Sequence, residues 1–122
     1  MKQLLLVFIG GGFGSMLRYV IGKTLNTSQN FPIGTFTANI LGSLLIGILL
    51  GWALKSDTLT QNHTLLLATG FCGGLTTFSS FAYENHLIIK SGDIVSFILY
   101  AALTFIVGLC AVFGGMFLAK IF

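Results

Sequence analysis

The chain has 122 residues, 55% hydrophobic and only 7% charged, with a net charge of +3. A soluble domain usually carries about 25% charged residues, and the mean hydropathy of +0.96 points instead to an integral membrane protein of a single domain. The six basic residues are spread along the chain and form no run, which excludes a nucleic-acid partner.

Crossing the hydrocarbon core takes about 20 apolar residues in a helix, and four segments qualify. The first runs from about 3 to 21. Its opening, MKQLLLVFIGGGFGSMLRYV, has the lone Lys and apolar run of a signal peptide. The apolar character continues toward Lys23 without a small-residue cleavage site, so it reads as a retained span. The second runs from about 32 to 54, with Pro32 suited to a first helical turn and Trp52 at interfacial depth. The third runs from about 63 to 89. The fourth runs from about 94 to 119, with Asp93 as N-cap. The gaps NTSQN, KSDTLTQN and KSGD carry turn residues. Helices are the spanning form expected, because a barrel needs many shorter alternating strands.

With four spans, Lys2, Lys55 and Lys120 fall on one side of the membrane and Arg18, Lys23 and Lys90 on the other. This balance gives no preferred orientation, so the expectation is dual topology: copies inserted both ways and paired as an antiparallel homodimer. Small residues recur at helical spacing, as Gly10 with Gly14, Gly47 with Gly51, Gly70 with Gly74, and Ala111 with Gly115. Such pairs let helices approach closely, within or between subunits.

Polar groups inside a membrane are costly and therefore informative. Cys72 and Cys110 have no CxxC spacing and read as small hydrophobes. His63 and His86 lack partners at ligand spacing, and no catalytic set is evident, so no enzyme is expected. Glu84 is the one acid within a span, late in the third, and reads as a vestibule or interface residue. Arg18 reads as a side chain snorkelling near a helix end or as a vestibule charge that draws anions. Asn39 lies in the second span, Thr76, Thr77, Ser79 and Ser80 in the third, and Tyr100 and Thr104 one turn apart in the fourth.

The stretch GFCGGLTTFSSF at 70–81 concentrates these features. Adjacent Gly73 and Gly74 invite a break near the centre of the third helix, tolerated only where backbone is buried or lines a cavity. Freed carbonyls suit a hard cation such as Na⁺. Phe78 and Phe81 share a face, and the positive edges of their rings, with an amide and hydroxyls, suit a small anion. Spacing alone leaves a small anion or Na⁺ as the transported ion. It also leaves a Na⁺- or proton-coupled transporter, supported by Glu84 and the break, as the alternative to a channel.

Three stretches, GGGFGSMLRY at 10–19, GTFTANILGSLLIG at 34–47 and GFCGGLTTFSSF at 70–81, resemble the Fluc (CrcB) family of fluoride channels. The likeness covers essentially the whole chain. It implies passive export of fluoride, to relieve its toxicity, through two pores of an antiparallel homodimer in the bacterial inner membrane. A structural Na⁺ at the dimer centre is implied, held by backbone carbonyls of Gly73 and Thr76. Phe78 and Phe81 match pore-lining phenylalanines, and Asn39 matches an asparagine that orients a Phe and donates to the ion. Ser79 and Thr77 or Ser80 become polar contacts, and Tyr100 and Thr104 match a polar track on the fourth helix. Arg18 and Glu84 match vestibule positions. Gly108 stands where some members carry a further hydroxyl, which implies a shorter outer track.

Overall fold

A computed structural model of the chain describes residues 1–27, 31–55 and 59–122. The turn residues expected at 28–30 and 56–58 lie outside the described residues. Four helical segments are long and apolar enough to cross a membrane: Lys2–Leu25, Ile33–Lys55, Gln61–Lys90 and Ile94–Ile121. The first two are the continuous helices α1 (Lys2–Leu25) and α2 (Ile33–Lys55). The third is divided. Its first half, α3 (61–75), opens as one α-turn (Gln61–His63), winds as a π-helix (Thr64–Cys72) and closes as a further α-turn (Gly73–Leu75). Its second half is α4 (Phe78–Lys90). The last span is α5 (Ile94–Ile121).

Local chemistry sets the ends. Pro32 precedes α2 and its carbonyl accepts from the Phe36 amide at 3.0 Å. Asn26 reaches across to accept from the Gly34 amide at 2.6 Å, satisfying one of the donors a helix start leaves open. Thr60 and His63 form a reciprocal capping box at the start of α3. Asp93 caps α5 as its sequence position suggests, accepting from the Ser96 amide at 3.0 Å. After α4 the chain turns at Gly92, whose φ of 84° lies in the left-handed region that glycine enters without cost.

Small residues stitch the spans into two pairs. A Cβ at Gly10 would overlap the Leu66 carbonyl, and one at Gly14 the Phe71 carbonyl; Gly70 and Gly74 face Gly10 and Gly11 in return. Positions along α1 and α3 rise together, so the two helices run parallel. On α2, Gly47 lies against the Val112 backbone and Gly51 against Met116 and Ala119, while Gly115 of α5 meets the Leu44 carbonyl. This is a second parallel pair, comparable in extent to the first. The glycines of the pairs that sequence assigned either within or between subunits therefore pack closely within one. Much of the remaining apolar surface, including Phe8, Phe13, Phe105, Phe113 and Phe117, is exposed, as expected for side chains facing lipid or another subunit.

Candidate ion path at the interrupted third span

The interruption falls two residues beyond the glycines that sequence pointed to. Gly73 is helical, with φ −63° and ψ −36°. The chain leaves the helix at Thr76 (φ −81°, ψ 153°) and Thr77 (φ −152°, ψ 122°), both extended. The physical reason is packing. Gly74 must be small because the Gly11 backbone presses on it, and its carbonyl is taken by Arg18. Two β-branched residues, poorer helix formers, then carry the extended segment.

Side chains from other spans meet the backbone groups that the break exposes. Asn39 of α2 accepts from the Thr77 amide at 2.7 Å through Oδ1 and donates to the Thr77 carbonyl at 3.2 Å through Nδ2. Arg18 Nε donates to the Gly74 carbonyl at 2.9 Å, joined by Ser15 Oγ at 3.5 Å. Arg18 thus turns inward to the break rather than toward the end of α1. The Thr76 hydroxyl and amide both donate to the Cys72 carbonyl at 2.9 Å. Thr77 Oγ1 caps α4, accepting from the Ser80 amide at 3.2 Å, and contacts the hydroxyls of Ser79 at 3.1 Å and Ser80 at 3.3 Å. A knot of three hydroxyls therefore sits at the N-terminus of a thirteen-residue helix, where the helix dipole favours negative charge.

Beside this knot runs a groove of about 560 Å³ between α2, the broken span and α5. It gathers Asn39, Gly73, Thr76, Thr77, Phe78, Phe81 and Thr104, all expected site residues, and adds Ser43 and Thr69, which sequence reasoning passed over. No charged side chain lines it among the described residues. The Phe78 and Phe81 ring centroids are 5.7 Å apart and tilted by 44°. Phe78 is 78% exposed, so one of its faces awaits lipid or another subunit. Gly73 also borders open space, with no atom within 4 Å of a Cβ placed there.

Tyr100 and Glu84 stand behind this wall. Tyr100 is fully buried, and its ring packs at 5.2 Å on Phe81 and at 5.1 Å on Phe31. Its hydroxyl donates to Glu84 Oε2 at 2.7 Å, while Thr35 donates to Oε1 at 2.5 Å. Glu84 is thus held on both oxygens by neutral donors, which is how a carboxylate is accommodated at depth. Thr35 is 6% exposed. Its signal lay in GTFTAN, where it precedes Asn39 by four residues. Ser79 and Ser80 border the break, but they are absent from the groove lining.

This arrangement defines a class: a multi-pass helical membrane protein with an interrupted third span flanked by an uncharged polar groove. Within that class the chain belongs to the CrcB-like family (CrcB-like protein, Camphor Resistance), whose pattern it matches over residues 5–116. A protein of Gloeothece citriformis described as "Fluoride-specific ion channel FluC" is 44% identical over 98% of this chain and 98% of its own length. Proteins with the same description from Azobacteroides pseudotrichonymphae and Flavobacterium psychrophilum are each 41% identical, over 100% and 98% of this chain and 99% and 98% of their own lengths.

Proposed function

We propose that the chain is a passive, fluoride-selective channel of the bacterial inner membrane, which lets the ion leave down its gradient and so relieves fluoride toxicity. The observation that carries this reading is the groove's chemistry. Phenylalanine rings, an amide and hydroxyls stand together with no fixed charge among the described residues. A small, strongly hydrated anion needs its water replaced by donors. A full positive charge in the path would hold it too tightly for rapid passage. Family membership and the names of the relatives point the same way. The reading is a channel rather than an enzyme or a coupled carrier, because Glu84 lies outside the groove lining with both oxygens engaged.

The working unit is an antiparallel homodimer. The exposed Phe78 and the open surface at Gly73 are the places where a second copy completes each path. Gly73 and Thr76 suit a structural Na⁺ at the centre. Their carbonyls lie where α3 ends, whereas those of Cys72 and Gly74 are already occupied. Helix ends leave such carbonyls without intrahelical partners and carry partial negative charge. When bound, Na⁺ supplies positive charge that draws the two broken spans together.

Ion flux from proteoliposomes tests the function. Fluoride efflux under voltage alone, with Cl⁻ flux far lower, is expected. Comparable Cl⁻ flux, or fluoride movement that requires a Na⁺ or proton gradient, would overturn it. Tags at the C-terminus should report both faces of the membrane in one population; a single orientation throughout would remove the antiparallel dimer.

A further inference from the structure

Ser43 is half-buried on α2, one turn beyond Asn39 and on the same face, and it borders the groove. A hydroxyl in a membrane helix ordinarily donates back to the carbonyl one turn earlier, as Thr24 and Thr76 do at 2.9 Å. Ser43 does not, and it makes no hydrogen bond among the described residues. Across the groove on α5, Thr104 Oγ1 is buried and also without a partner. Two unpaired hydroxyls on facing helices border one cavity, where an unsatisfied polar group is costly.

Gly108 follows Thr104 by one turn and lines the same groove. A Cβ built at Gly108 would lie 3.8 Å from Ser43 Oγ, an ordinary contact. The hydroxyl that position 108 lacks is thus available from the opposite wall.

We propose that Ser43 is a fluoride contact of the path, its hydroxyl on α2 standing in for the one absent at Gly108 on α5 and acting with Thr104 as the station next to Asn39. This rests on the channel reading. On this proposal the track is not shortened at Gly108 but crosses from α5 to α2.

The test is fluoride efflux from proteoliposomes for the wild-type protein, Ser43→Ala, Ser43→Thr, and Ser43→Ala combined with Gly108→Ser. Loss of one hydrogen bond to the ion is expected to slow Ser43→Ala about tenfold. Ser43→Thr and the double variant should recover most of the rate, with assembly by gel filtration unchanged throughout. An unaltered rate in Ser43→Ala overturns the proposal. So does a slowed rate that Gly108→Ser leaves unrepaired, which would assign Ser43 to packing. Absence of fluoride flux in the wild-type protein would instead overturn the channel reading itself.

Discussion

The two halves of the third span obey different rules. The first half, α3, is governed by contact: Gly70 and Gly74 let the α1 backbone close on it, and Leu75 and Cys72 are buried. The second half, α4, begins with hydroxyls and Phe78, and its first turn serves a cavity. Glycine shows the difference within two adjacent residues. Gly74 is pressed by Gly11, whereas Gly73 meets nothing in its own subunit. A glycine in a membrane helix therefore marks either a helix neighbour or an open surface, and only the surroundings tell which.

Substitution of the pressed glycines should have the largest effect. Gly14→Val pushes side-chain atoms into the Phe71 carbonyl and the Leu75 amide, and overpacking of that kind costs about 1–3 kcal/mol or more. Thermal unfolding in detergent should show a lowered Tm and poor recovery of folded protein. Gly73→Ala, by contrast, should leave the subunit's own packing intact and lower only the dimer fraction. Equal losses of Tm for the two would erase the distinction between the glycines.

A middle-sized effect is expected where α2 bridges the halves. Asn39→Ala removes both bonds to Thr77; at about 1 kcal/mol each this should lower Tm by less than Gly14→Val does, and fluoride flux should fall as the break loosens. Asn39→Asp keeps the acceptor for the Thr77 amide but adds a negative charge beside the groove, so flux should stop although the fold persists. Undiminished flux in Asn39→Asp would move the path away from Asn39.

The smallest effect lies outside the membrane-spanning segments. The Ser96 hydroxyl and amide hold the Asp93 carboxyl below its usual range. A depressed carboxylate stabilises the folded state above its ordinary value, and that contribution fades as pH falls through the lowered one. Asp93→Asn keeps an N-cap and should barely change Tm at about pH 7, while flattening the decline toward about pH 3. An equally steep decline in the variant would mean that the acid sensitivity arises elsewhere.

The four spans were legible because about 20 apolar residues have few other uses, and Asp93 was legible because capping is local. The interruption was legible in kind but displaced in position. Gly73 and Gly74 signal weak helix, yet the outcome depends on what Gly11 and Arg18 do to Gly74 from another span, and no local pattern carries that. The bond from Arg18 to the Gly74 carbonyl is illegible for the same reason, since its acceptor lies 56 residues away. Thr35 and Ser43 escaped notice because single hydroxyls in apolar helices ordinarily bond to their own backbone. Their partners, or the lack of them, are tertiary facts.

The fastenings of the break are an amide from Asn39, a guanidinium from Arg18 and hydroxyls from Thr76 and Thr77. None of these group types changes its protonation between mild acid and neutral pH. Fluoride enters cells as its weak acid, so exposure is worst when the surroundings turn acidic. These fastenings therefore hold through acidification, and on the proposed reading the path would keep its hinge when the load of fluoride is highest.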